Sequence, residues 1–369
     1  MLHAMRITAA VLSVAIGLVA GQISSDTSGP SGILGFNSGA FFPDDDETPK
    51  KKSDFLEEFE ASQSLHGSPG LFNSVRLYTN VQWKTTSDPI EAFEAAIETN
   101  TTMLLGVWCS GTDSIESELT ALQSALDSHG SSFADLVVGI SVGSEDLYRI
   151  SETGVENEAG TGTDAKAIAG FISDVRAAIN GTLLEDKMVG HVDAWSAWGN
   201  SSNKAVVDAV DFVGVDLYPY YEKDKGNSFD NSTNVYDYIY GIAKDAAGDK
   251  PLWITETGYP VSGPTFGEAE TSVQNAGAYW QNIGCDKLFG RENVWWYNLR
   301  DSNPANEEKF GITEDLDAAN PVFNLTCAAG SGAPATINTE DSSANRFGTN
   351  SNVAMLVAIG VMGLMAVIG

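Results

Sequence analysis

The chain has 369 residues, 43% of them hydrophobic and 9% aromatic, enough for a packed core, which excludes intrinsic disorder for its middle part. The length fits one large domain, since α/β barrels commonly take about 250 residues or more. A formal net charge of -30, from 50 acidic against 20 basic residues, excludes nucleic acid and anionic membrane surfaces as partners, because both are polyanions.

In chain order, residues 1–21 combine a basic Arg6, an apolar run over 7–20 and small residues at Ala20 and Gly21, the layout of a secretory signal peptide. The folded domain is expected over 22–327. Within it, the segment 42–53 sets Asp44-Asp45-Asp46-Glu47 against Lys50-Lys51-Lys52 and reads as a solvated loop. Apolar, β-branched runs predict strands at 33–36, 75–78, 103–108, 136–142, 188–192, 212–216, 252–255 and 294–297. Helical apolar spacing intervenes, for example at 90–98, 115–126 and 167–179. Strands apolar on both faces belong to parallel sheets, and eight strand–helix alternations close most naturally into an α/β (β/α)₈ TIM barrel. An open doubly wound sheet is the competitor, but no Gly-rich phosphate loop supports a nucleotide-binding version.

Beyond the domain, 328–343 is rich in Gly, Ala, Ser, Thr and Pro and reads as a flexible stalk. Small residues Ser342-Ser343-Ala344, a polar spacer over 345–352 and an apolar tail over 353–368 follow in the order of a GPI attachment signal. Ser342 or Ser343 is the expected attachment site, and 344–369 the piece removed. A tail-anchored transmembrane helix is the competing reading; it needs about 20 apolar residues. Sequons at Asn100, Asn180, Asn200, Asn231 and Asn324 suit an extracellular glycoprotein. Of three cysteines, Cys285 and Cys327 are expected to pair and tie down the end of the barrel, leaving Cys109 free and buried; pairing of Cys109 with either stays open, because sequence does not fix connectivity.

Two carboxylates stand out by position. Leu136-Val137-Val138-Gly139-Ile140-Ser141-Val142-Gly143-Ser144 leads into Glu145, and Leu252-Trp253-Ile254-Thr255 leads into Glu256, followed by Thr257-Gly258-Tyr259-Pro260. A solvated loop is the ordinary place for an acid, but these end buried strands, whose carboxyl-terminal loops carry function in α/β folds. A carboxyl pair at one barrel mouth is what glycosidic bond cleavage requires.

The stretch Leu252 through Gly263 resembles the nucleophile signature of family 17 glycoside hydrolases, and Val142-Gly143-Ser144-Glu145 resembles their acid/base segment. The likeness is nearest to the fungal, GPI-anchored endo-1,3-β-glucanases of that family. It extends through Gly35-Phe36-Asn37, Arg76-Leu77-Tyr78, Gly190-His191-Val192-Asp193, Val213-Gly214-Val215-Asp216, Tyr218-Pro219-Tyr220 and Trp295-Trp296-Tyr297, and covers 33–327. Ser144 stands where many relatives of the wider clan carry Asn.

The resemblance implies retaining endo-hydrolysis of β-1,3-glucan, with Glu145 as acid/base and Glu256 as nucleophile. Retention goes with carboxyls about 5–5.5 Å apart, and a gap of about 6.5–9.5 Å with inversion. Of two such acids one is held protonated, and Glu145 is expected to be that one. Tyr78, Trp108, Tyr218, Tyr259 and Trp296 lie at or past strand ends and are candidate substrate contacts, with Tyr218 also the candidate hydrogen-bond partner of Glu256. Of Trp295 and Trp296 only one can face the lumen. Four His in the chain show no metal-ligand spacing, and no cofactor is implied. A monomer at the outer face of the plasma membrane or in the cell wall is the expected setting. A glucan transglycosylase is the alternative enzyme, and a non-catalytic wall-binding glycoprotein the alternative of another class.

Overall fold

The computed structural model describes residues 32–42, 47–301, 306–329 and 331. The expected signal peptide, most of the stalk and the attachment site at Ser342 or Ser343 lie outside these residues.

Eight parallel strands close into a barrel: β1 (Leu34–Ser38), β2 (Ser74–Leu77), β3 (Thr102–Val107), β4 (Val137–Ser144), β5 (Val189–Ala194), β6 (Phe212–Leu217), β7 (Leu252–Thr257) and β8 (Val294–Trp296). Each agrees with its predicted span to within two residues. Among the described residues, besides four shorter α-helical turns, α-helices of six residues or more alternate with them: α1 (Lys52–Gln63), α2 (Ala92–Thr99), α3 (Glu116–His129), α4 (Ala165–Ile179), α5 (Lys204–Ala209), α6 (Ser232–Ala247) and α7 (Val273–Tyr279). The last continues as a π-helical stretch over Trp280–Leu288. Among the described residues after β8 no eighth helix follows. Irregular chain runs there instead to Cys327, whose disulfide to Cys285 fastens it to the end of the π-helical stretch, as expected, while Cys109 stays free and buried.

Alternation along the strands makes two apolar layers. Leu104, Phe212, Trp253 and Trp295 form a small separate cluster contributed by four barrel strands, the plug of the barrel interior; Phe212 and Trp253 stack with centroids 3.8 Å apart. The main core, including Val213, Val215, Ile254 and Trp296, lies between barrel and helices.

The charged segment near residue 50 departs from the solvated loop expected for 42–53. Lys50 is 2% exposed, its Nζ 2.9 Å from Glu58, and α1 already begins at Lys52. Glu58 also meets Arg300 at 2.8 Å and accepts from Ser38. A cation can be buried where a carboxylate neutralises it, which the local run of charges does not reveal.

Candidate active site

Both acids reach the barrel mouth through breaks in strand register. Along β6, Phe212 belongs to the interior plug and Val213 and Val215 to the outer core, so Asp216 faces inward. On β7, Trp253 faces inward and Ile254 outward, and strict alternation would turn Glu256 away from the lumen. The register shifts between Val215 and Asp216, so that Ile254 pairs with Val215 but Glu256 with Asp216, leaving Thr255 as the extra residue. Such a bulge re-aims the next side chain. Thr255 donates to Asp216 Oδ1 at 2.7 Å, and Glu256 turns inward beside it. A second irregularity lies between Ser141 and Ser144 on β4. Here Gly143 has φ +83°, and a Cβ would sit 2.5 Å from Asp146 Oδ2, so only glycine fits. Glu145 follows in the left-handed region at φ 56°, an unusual conformation for a residue with a side chain.

Glu256 is 2% exposed and held by three donors. Oε1 accepts from Arg76 Nη1 at 2.5 Å and from the Tyr78 hydroxyl at 2.7 Å; Oε2 accepts from the Tyr218 hydroxyl at 2.7 Å. Arg76 is itself fixed, donating to Asn37 Oδ1 at 3.0 Å and to Ser144 Oγ at 2.9 Å. Ser144, at the position where Asn is frequent in the wider clan, thus braces the arginine that grips Glu256. Burial, and then the charge of Glu256, push the Tyr78 and Tyr218 phenols well above their usual range, so both remain neutral donors.

Glu145 is 6% exposed. Burial pushes its carboxyl up to about 7; the Arg149 guanidinium, 3.9 Å away, opposes the rise, and Glu256 and Asp193 add to it. The turn carrying it is anchored on both sides. Asp146 accepts from the Ser144 amide at 2.9 Å and from Ser110 at 2.6 Å. Asp193 accepts from the amides of Leu147 and Tyr148 at 2.9 and 3.1 Å, and its Oδ2 lies 3.0 Å from His191 Nε2. His191 Nδ1 lies 2.6 Å from the Val142 carbonyl. Burial pulls the imidazole down, but the hydrogen bond and charge of Asp193 outweigh it, so its pKa is raised. Asp216 completes a third carboxyl in the site, raised well above its usual range by burial and then by Glu256.

Of the residues singled out from sequence, Glu145, Glu256, Tyr78 and Tyr218 come together here. Tyr218 bonds Glu256 as expected, while Tyr78, expected at substrate, spends its hydroxyl on the same carboxylate. Trp108 is half-buried on a groove beside Tyr78. Two expected contacts lie elsewhere. Trp296, 1% exposed, faces the helix layer against Trp280, Phe289 and Tyr279. Tyr259, 2% exposed, packs among Tyr220, Phe229 and Tyr279. Neither ring is open to a sugar, because a position at a strand's end does not say which face it joins. Arg76 and Asp216 were quoted in the sequence only as parts of motifs. Four of the five sequons are exposed, but Asn231 is half-buried and its Nδ2 donates to the carbonyls of Lys225 and Gly226 at 3.3 and 2.7 Å; a glycan on Nδ2 leaves it a single N–H, so both bonds cannot persist.

A closed parallel barrel whose mouth gathers two buried acids, one gripped by a cation and one raised toward neutrality, is the arrangement that glycoside hydrolases use. The BtgE/BtgC glycoside hydrolase domain matches residues 40–314. The chain belongs to that family. It is 47% identical over 294 residues to the probable glucan endo-1,3-beta-glucosidase eglC of Aspergillus niger, covering 79% of this chain and 63% of the relative. It therefore spans about three fifths of the length of that relative, and similarly 60% of the Aspergillus terreus one. The glucan 1,3-beta-glucosidase of Schizosaccharomyces pombe is 29% identical over 282 residues, 74% of this chain and 80% of the relative. Among solved structures, an active-site mutant of Rhizomucor miehei beta-1,3-glucanosyltransferase in complex with laminaritriose superposes with a TM-score of 0.60 at 21% identity, over 77% of this chain and 93% of that one. An endo-laminarinase from Formosa gives 0.60 at 16%, over 76% and 82%. At these identities the two structures establish the shared fold.

Proposed function

We propose that the protein is a retaining endo-hydrolase of β-1,3-glucosidic bonds in cell-wall glucan, with Glu256 as nucleophile and Glu145 as acid/base. The observation that carries the reading is the contrast between two carboxyls at one mouth. Both oxygens of Glu256 accept from fixed donors, one of them a guanidinium, which suits an anion poised to attack. Glu145, raised to about 7, keeps a proton to give.

In the first step a Glu256 oxygen bonds the anomeric carbon as the glucosidic C–O bond breaks, and the Glu145 proton passes to the leaving oxygen. In the second, Glu145 takes a proton from water, the water oxygen bonds the anomeric carbon, and Glu256 departs. Arg76, Tyr78 and Tyr218 hold the nucleophile still through both. The names of the relatives support β-1,3-glucan as substrate, and the strong negative charge is no obstacle to a neutral polysaccharide.

Incubation with a reduced β-1,3-glucan oligosaccharide should yield shorter β-1,3-linked fragments by mass and linkage analysis. Products longer than the starting material would move the reading to transglycosylation. The reading extends to a monomer held at the outer leaflet of the plasma membrane by a GPI anchor on Ser342 or Ser343, with 328–343 as stalk and exposed sequons carrying glycans, after removal of 1–21 and 344–369. Phosphatidylinositol-specific phospholipase C should release the protein from cells; a mature protein in which peptides from 353–369 persist would refute the anchor.

A further inference from the structure

A groove of about 460 Å³ opens on the far side of Tyr78 from Glu256, formed by the loops that follow β1, β2 and β3. Tyr78 joins the two regions: it lines the groove and places its hydroxyl on Glu256. Further out the groove is lined by Trp83 and Trp108, both half-buried, with the polar side chains of Thr79, Thr112 and Ser117 and the charged Glu47 and Lys84 around them. Each indole is fixed by a neighbour. Trp83 stacks on Phe41 with centroids 4.3 Å apart and planes at 26°, and the Arg149 guanidinium lies 5.3 Å from the Trp108 ring centroid. Arg149 is in turn pinned to the Ser144 carbonyl at 2.6 Å and to Ser110 at 3.0 Å, so Trp108 is coupled to the turn that carries Glu145. The loop bearing Trp83 is tied down as well: Glu118 accepts from Thr79 and from the Asn80 amide at 2.7 Å, and the Gln82 amide donates to the Asp88 carbonyl at 2.8 Å.

Aromatic rings already held in place offer an apolar face at little entropic cost, and hydroxyls beside them suit a ligand that alternates C–H faces with O–H edges. A sugar chain is such a ligand.

We infer that the groove of Tyr78, Trp83 and Trp108 is an extended binding arm for β-1,3-glucan, with Trp83 a chain-length determinant that engages glucosyl units beyond those at the scissile bond. The inference rests on the proposed glucan activity for the identity of the ligand and on Tyr78 for the continuity of the path. Short oligosaccharides gain little from the arm, and long ones gain the stacking on Trp83.

The test separates binding from chemistry. Calorimetric titration of a reduced β-1,3-glucan hexasaccharide into the inactive Glu256→Ala protein, and into Glu256→Ala with Trp83→Ala, reads the arm without turnover. The expected result is a Kd about tenfold weaker in the double variant, the scale of an aromatic contact of about 1.5 kcal/mol. Equal Kd values overturn the inference. In the active protein, Trp83→Ala should lower the ratio of kcat/KM on the hexasaccharide to that on the trisaccharide by a similar factor, and an unchanged ratio overturns it equally. Trp83→Leu keeps apolar volume against Phe41 while removing the aromatic face, and serves in both assays if the alanine variant unfolds. A wild type that binds the hexasaccharide through Trp83 yet cleaves no β-1,3-glucan would sink the proposed activity and leave the arm standing.

Discussion

Glu256→Ala should lower turnover of β-1,3-glucan by on the order of 10⁴-fold or more, the scale that loss of a nucleophile reaches in other hydrolases. Azide should restore part of the first step on an activated aryl β-glucoside. The small anion enters the space left by the carboxylate, its nitrogen bonds the anomeric carbon from the face Glu256 had used, and the phenol departs. The product is therefore the α-configured glycosyl azide, identified by NMR. The substitution also strips a buried guanidinium of its counter-charge, because Arg76 and Glu256 are 1% and 2% exposed. Breaking one side of such a pair costs about 3–5 kcal/mol. Arg76 keeps Asn37 and Ser144 as partners, and a circular dichroism spectrum matching wild type establishes that the variant is folded. Substantial residual cleavage by a folded Glu256→Ala protein would remove Glu256 from the nucleophile's role.

Glu145→Gln should cost about 10²–10⁴-fold on natural glucan, the range of general acid–base catalysis. The acid must be protonated to act. Since burial raises Glu145 to about 7, activity should be present below neutrality and lost as pH rises through about 7. The wild-type profile is bell-shaped with its optimum on the acid side, and its limbs report the coupled pair of acids. Glutamine has no proton to lose in that range, so the alkaline limb should flatten. Aryl glucosides with acidic phenols need no protonation to leave and should keep most of their first-step rate. Equal slowing of activated and natural substrates at that step would move the acid's role to another carboxyl of the mouth, such as Asp216, which stands beside Glu256 in the register.

The barrel was legible because its strands are buried on both faces and read as predominantly apolar runs, such as 136–142 and 212–216. Both acids were legible for the same reason, each standing where such a run ends. Their immediate partners were not. Arg76 lies 180 residues from Glu256 in the chain, and nothing in the local spacing around either says that the guanidinium leans across the lumen rather than out of it. The two bulges that bring Glu256 and Glu145 to the mouth leave only a glycine at 143 and a threonine at 255 as traces; threonine is ordinary in strands, and a glycine within a strand marks a bulge without saying which side chain it re-aims. Trp296 was misplaced because two consecutive tryptophans must split between lumen and helix layer. Trp295 took the lumen, below the acids, with its Nε1 on Ser74 at 3.1 Å. Trp83 escaped notice because its neighbours Lys84, Thr85 and Thr86 read as a polar loop, and only the fold brings Phe41 behind it.

Proton NMR of the first-formed product, recorded as the wild-type protein cleaves a β-1,3-glucan oligosaccharide, tests the central claim most directly. Attack by Glu256 followed by attack of water inverts the anomeric carbon twice, so the new reducing end should appear first as the β anomer and only later equilibrate with the α. An α anomer formed first would mean that water attacks in a single displacement, and would contradict Glu256 as nucleophile.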